Sequence, residues 1–155
     1  MIRPALLVAL ALTACKSTET SPGTSTTTAP VTTGPLANLE SAPFVNEVWT
    51  SNDDGAQIAM IYYAQQNVRV SATCRNGGGQ LACDALKQLR QGPPVKVPKS
   101  AVKGNISAGT KGCTALKNTI VHAHDAQANE DGFCKFADGS FAANGSLEQY
   151  GVTLE

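Results

Sequence analysis

Read from its amino end, the chain passes from an apolar run through a long polar stretch and then into a region where apolar positions recur at short intervals. Ala5 to Leu12 is continuously apolar but too short to cross a bilayer as a helix. From Lys16 to Pro35 nearly every residue is Ser, Thr, Pro, Gly or Ala, and Val31 is the one large apolar side chain. Such a stretch has nothing with which to form a core and reads as a flexible tether over residues 15–35. Residues 36–155 have the length of one small domain.

Within that domain the periods alternate. Ile58, Ile61, Tyr62 and Gln65 share one face of a helix drawn over Gln57 to Gln66, so a helix is predicted there, with a buried strand as the alternative. Val68 and Val70 alternate with Arg69 and Ser71, predicting a short strand into Cys74, and Asn76-Gly77-Gly78-Gly79 is a turn. Ala82, Ala85, Leu86 and Leu89 form a stripe on a short helix stopped by Gly92-Pro93-Pro94. Val95 to Lys103 suits an extended connection or an edge strand, because Pro94 and Pro98 stiffen it and lysines separate its valines. A helix over Ser107 to Lys117 carries Cys113. Thr119 to His124 then reads as a strand, Asp125 to Gly132 as a polar turn, Phe133 to Phe136 as the returning strand and Asp138-Gly139 as a closing turn. Ala64, Asn67, Val70, Ala72 and Cys83 recur 51 residues later as Ala115, Asn118, Val121, Ala123 and Cys134. Common residues such as Ala and Val make chance the better account of this offset, the other being two related helix-and-hairpin units. The fold class expected is α+β, a small disulfide-stabilised domain of short helices and β-hairpins after the tether.

The amino terminus changes the picture most. Met1-Ile2-Arg3 supplies a positive start, the apolar run follows, and Leu12-Thr13-Ala14-Cys15 resembles the lipobox of bacterial lipoproteins. That resemblance implies cleavage after residue 14, diacylation of the Cys15 thiol and acylation of the new amino group, a lipid anchor strong enough to be stable. Lys16 in the next position points to the outer membrane, with the domain in the periplasm. Cys74, Cys83, Cys113 and Cys134 then form an even set in a small exported domain and read as two disulfides, for which three pairings are possible. No close C-x-x-C pair suggests zinc.

The net charge is zero, which gives no global field toward nucleic acid, but the charges are unevenly distributed. No acidic residue lies between Asp84 and Asp125, whereas Lys87, Arg90, Lys96, Lys99, Lys103, Lys111 and Lys117 do. The plainer account is a solvated surface, and the sharper one is a face for anionic envelope polymers.

Gly132-Phe133-Cys134-Lys135-Phe136-Ala137-Asp138-Gly139-Ser140, with Cys113 21 residues before Cys134, resembles a family of short bacterial envelope domains labelled haemolysins although their function is unknown. Cys113, Gly132, Phe133, Cys134, Phe136, Asp138, Gly139 and Ser140 match its pattern. Ser107-Ala108-Gly109 replaces the family's Asn-Pro-Ala, Gly112 its tyrosine, Lys117-Asn118 its glycine pair and Ala137 its proline, and Tyr150 is the nearest closing aromatic. The likeness covers residues 107–150. It implies a Cys113–Cys134 bridge, leaving Cys74 to pair with Cys83. No lytic amphipathic helix or pore-forming strand pattern accompanies the label.

Candidate chemistry is sparse. His122 and His124 project from one face of the predicted strand and Asp125 follows, a weak His-x-His-Asp metal pattern whose plainer reading is a solvent-facing strand beside a turn. Asp125, Glu130, Asp131 and Asp138 crowd the turns, where Asp serves its own backbone, and acid–base work of the kind glycosidases do is the alternative. No nucleophile elbow, phosphate loop, dinucleotide fingerprint or His-Glu-x-x-His helix occurs. The expectation is a lipid-anchored, non-catalytic envelope module without a cofactor, anchored to the membrane through the lipid on Cys15. Peptidoglycan, lipopolysaccharide or an envelope protein would be its partner. A small periplasmic hydrolase or hydrolase inhibitor using His122 is the first alternative, and a surface-exposed adhesin or toxin-like factor the second.

Overall fold

A computed structural model describes residues 34–155, so Cys15, the signal segment and nearly all of the tether lie outside the described residues. In chain order the elements are β1 Val45–Ser51, β2 Gln57–Tyr63, β3 Val68–Ser71, α1 Asp84–Gln91, β4 Val95–Val97, α2 Ala108–Ala115, β5 Thr119–His124, β6 Glu130–Lys135, β7 Phe141–Ala143, α3 Asn144–Gly151 and β8 Val152–Leu154. The class is α+β, as expected, but the strands close into a six-stranded barrel in the order β1-β2-β3-β7-β6-β5, and β4 and β8 form a separate parallel pair.

The segment expected as a helix over Gln57 to Gln66, with a buried strand as the alternative, is the strand β2. Ile58 and Met60 turn into the barrel, while Ile61 and Tyr63 turn outward and are buried beneath the helices, at 2% and 0% exposure. A strand covered on both faces loses the polar alternation that would mark it, and its run of apolar residues imitates a helical stripe. The hairpin after β5 is also tighter than the sequence suggested. The Asp125 carboxylate accepts from the amides of Gln127 and Asn129, both at 2.9 Å, closing the turn by Asn129 so that β6 begins at Glu130. The positions related by the 51-residue offset are not equivalent: Cys83 precedes α1 as its N-cap, whereas Cys134 lies within β6.

Two cores result. Inside the barrel Trp49, Ile58, Met60, Ala123, Phe133 and Ala143 pack together, with the Trp49 and Phe133 rings edge to face at 5.1 Å. Outside it, Ile61, Tyr63, Val68 and Val70 meet Leu86 and Leu89 of α1, Cys113 of α2 and Leu147 of α3. Each large side chain so buried contributes about 1.5–3 kcal/mol. The disulfides are Cys74–Cys83 and Cys113–Cys134, the pairing that the family resemblance implied. The second staples α2 to β6 across the outer core.

One end of the barrel is plugged by charge. Arg69 on β3 faces inward and donates to Glu47 at 2.6 and 3.3 Å and to Asp131 at 3.1 Å. Its guanidinium stacks on Tyr62, 4.5 Å from the ring centroid, and Trp49 Nε1 donates to the same Glu47 at 3.0 Å. The motif Asp138-Gly139-Ser140 has a structural task. Asp138 accepts from the amide of Asp84 at 2.8 Å and Ser140 Oγ from that of Ala85 at 3.0 Å, so this turn caps the first turn of α1 from 54 residues away.

Candidate functional site

On the outer face of β5 and β6, His122 stands opposite Gly132. The missing side chain matters, because a Cβ on Gly132 would lie 2.5 Å from Asn144 Nδ2 and 3.7 Å from His122 Nδ1. The space bounded by that glycine opens into a cavity of about 300 Å³, lined by Ser107, Thr110, His122, Glu130, Asp131 and Asn144 among others. The first turns of α2 and α3 converge on it. They come close because Gly109 lies against the Asn144 carbonyl, with no room for a side chain between the helices.

The two helix starts differ. Ser107 caps α2, its hydroxyl accepting from Thr110 N at 3.1 Å. Ala143 precedes α3 and has no side-chain cap to offer, so the opening turn of α3 faces the cavity without one. Asn144 is 5% exposed. Its amide nitrogen donates to Thr110 Oγ1 at 3.0 Å, while Oδ1 is buried with no hydrogen-bond partner. A buried acceptor left unpaired costs about 1–3 kcal/mol, so this side chain is held in place at some cost to stability.

The carboxylates divide the work. Asp131 accepts from the Gly132 amide at 2.7 Å and from Arg69, and burial pushes its carboxyl above the usual range despite those partners. Glu130 is exposed at the rim. The arrangement sets the exposed Glu130 carboxylate beside the His122 ring, the Ser107 and Thr110 hydroxyls and the uncapped turn of α3. That mixture suits a group able both to donate and to accept, which is the chemistry of a sugar hydroxyl.

The other residues singled out in the sequence are dispersed. His124 Nδ1 is 2.7 Å from Asn52 Oδ1, and Asp125 is spent on its own turn, so His122, His124 and Asp125 do not converge. Among the described residues, no group of three or more His, Cys, Asp or Glu side chains is placed to hold a metal ion. In the basic segment Arg90 is a structural residue with an 8% exposed side chain, gripping Glu40 at 2.8 and 2.9 Å and the Leu36 carbonyl at 3.1 Å. The Arg90 guanidinium, working against partial burial, holds the Glu40 carboxyl below its ordinary value. Lys96 pairs with Glu155 at 3.0 Å on the surface. Lys87, Lys99, Lys103, Lys111 and Lys117 make no ion pair among the described residues. Lys87 borders a separate groove with Leu116, Asn118 and Phe136.

Sequence reasoning named His122, Glu130 and Asp131 as candidates and Gly132 as part of the haemolysin-like motif, but it missed Asn144. Asn144 carries no local signal, since its place depends on α3 folding back over β6. No family model matches the chain, and neither curated proteins nor solved structures include a match to it. The haemolysin-family likeness therefore rests on the motif over residues 107–150.

Proposed function

We propose that this protein is a lipid-anchored module of the bacterial cell envelope that binds an envelope glycan without altering it. The lipobox-like Leu12 to Cys15 carries the anchoring part of the reading, with the lipid on Cys15 in the outer membrane and the domain in the periplasm. Two disulfides suit an oxidising compartment. The observation that carries the binding part is the polar lining of one outer cavity, where the His122 ring, the Glu130 carboxylate, the Ser107 and Thr110 hydroxyls and Asn144 surround the same space. Hydroxylated amino sugars, the shared chemistry of peptidoglycan and lipopolysaccharide, present donors at the spacing of neighbouring carbons and suit such a mixed lining.

The test is cosedimentation of the full oxidised chain with purified sacculi, and in parallel with lipopolysaccharide, at low and high salt. Hydrogen-bonded capture persists at high salt and weakens in His122→Ala and in Asn144→Leu. Binding that vanishes with salt and survives both substitutions transfers the function to the free lysines. A second reading, a small hydrolase, is favoured by His122 sharing the cavity with Glu130 and Asp131. Release of soluble sugar fragments by the wild type, abolished in Glu130→Gln, would put catalysis in place of simple binding.

A further inference from the structure

The two ends of the barrel are finished differently. Arg69, Glu47 and Asp131 fill one end, as described above. At the other, Ser51, Ser71, Val121, Lys135 and Phe141 face inward and a cavity of about 380 Å³ opens between them and the β1–β2 turn. Val121 and Phe141 are only half-buried although both point into the barrel, and Ile58 lies beneath them at 8% exposure. Apolar side chains inside a small barrel ordinarily pack to closure, and here none of α1, α2 and α3 contributes a residue to the lining. Barrel mouths are a recurrent place for small-molecule sites, whose volumes run from roughly 300 to 1,000 Å³. This volume is at the lower end, suited to a molecule of one or two residues' size.

The rim carries both signs of charge. Lys135 is exposed, reaches within 5.8 Å of the Phe141 ring centroid and makes no ion pair among the described residues. Across the mouth, Asp53 and Asp54 are held by a tight turn in which the Gly55 amide donates to the Ser51 carbonyl at 3.0 Å and Asp53 N to Ser51 Oγ at 3.3 Å. Asp54 accepts from Ala56 N at 3.0 Å. Hydrogen bonds from the Ser51 hydroxyl and the Ala56 amide, with the Lys135 charge, hold its carboxyl below the usual range, so it is anionic at neutral pH.

We propose that this open mouth binds a small zwitterion with an apolar body, an apolar amino acid or dipeptide with free ends. Its ammonium lies at Asp53 and Asp54, its carboxylate at Lys135, and its side chain on Phe141 and Val121. The site is separate from the glycan cavity on the outer face of β5 and β6 and stands without it.

Isothermal titration of the full oxidised chain with leucine and with leucyl-leucine tests the proposal, and the comparison of the two sets the ligand's length. Saturable binding is expected for at least one of them. N-acetyl-leucine, which lacks the ammonium, and leucinamide, which lacks the carboxylate, should each bind at least about tenfold more weakly than leucine or not at all, a loss of about 1.4 kcal/mol. Lys135→Met should weaken the zwitterion tenfold or more yet leave leucinamide unchanged, and Asp53→Asn with Asp54→Asn should do the reverse with N-acetyl-leucine. All three rim side chains are exposed, and circular dichroism of each variant confirms folding. Absence of saturable binding by both ligands up to about 10 mM, or binding indifferent to both sets of substitutions, overturns it.

Discussion

Replacing Arg69 by Met removes the cation from the barrel plug while keeping an unbranched apolar stem of similar length. Three charge-assisted hydrogen bonds disappear, and Glu47 and Asp131 are left facing each other at the barrel's end. Breaking a fully buried ion pair on one side costs about 3–5 kcal/mol. Arg69, Glu47 and Asp131 retain 21%, 22% and 29% side-chain exposure, so solvent screening lowers this to about 2–3 kcal/mol. Urea unfolding at neutral pH, followed by the fluorescence of Trp49, the chain's single tryptophan, should show the midpoint falling by roughly 1–2 M. The pH dependence has a definite sign. Asp131 has a carboxyl raised by burial, so the native state binds its proton more tightly than the unfolded chain does. Its contribution to stability is fully present below the unfolded pKa and is lost as pH rises through the folded one. Without Arg69 that window widens, and protonating the raised carboxyl of Asp131 in acid removes the repulsion. The deficit of the variant relative to wild type should therefore shrink in acid. A loss below about 1 kcal/mol at neutral pH, or an equal loss at both pH values, would refute the view that the plug holds through its charges.

Gly109→Ala should lose about 1–3 kcal/mol or more in thermal or urea unfolding, because the new Cβ would lie 1.8 Å from the Asn144 carbonyl oxygen, a backbone atom that cannot swing aside. Mild reduction followed by thiol mass-tagging should open Cys74–Cys83 first, since Cys83 is half-buried at a helix start whereas Cys113 and Cys134 are both 0% exposed. Asp138→Ala should cost about 0.5–2 kcal/mol through loss of the remote cap on α1, seen as a lower melting temperature. Burial opposes ionisation of Asp138, but the bonds from the Asp84 amide and from Ser140 prevail and hold its carboxyl below the ordinary value. Its stabilisation is therefore present above the unfolded pKa and lost as pH falls through the folded one, a dependence absent in the variant.

α1, α2, β3, β5 and the α+β class were legible in the sequence, because each rests on a local period or a breaker such as Gly92-Pro93-Pro94, whereas the cysteine pairing came only as an implication of the family resemblance. For β2 a helix was preferred over the buried-strand alternative because its two faces meet two different cores, and no window of sequence shows that a second layer will cover Ile61 and Tyr63. β1, β7, α3 and β8 passed unread. Their apolar positions are few, and they gain order by pairing with partners far along the chain, as Val70 pairs with Ala142. His122, Glu130 and Asp131 were recognisable as reactive types. Their assembly with Asn144 waited on α3 crossing α2 at Gly109, a contact between backbones that leaves no pattern in side chains. The four cysteines beyond residue 15, the lipobox-like run from Leu12 to Cys15 and the turn motifs are statements about neighbours in sequence, legible without any fold. Closure of the barrel, the charge plug at one end and the open mouth at the other are statements about neighbours in space, set by pairings between strands far apart in the chain.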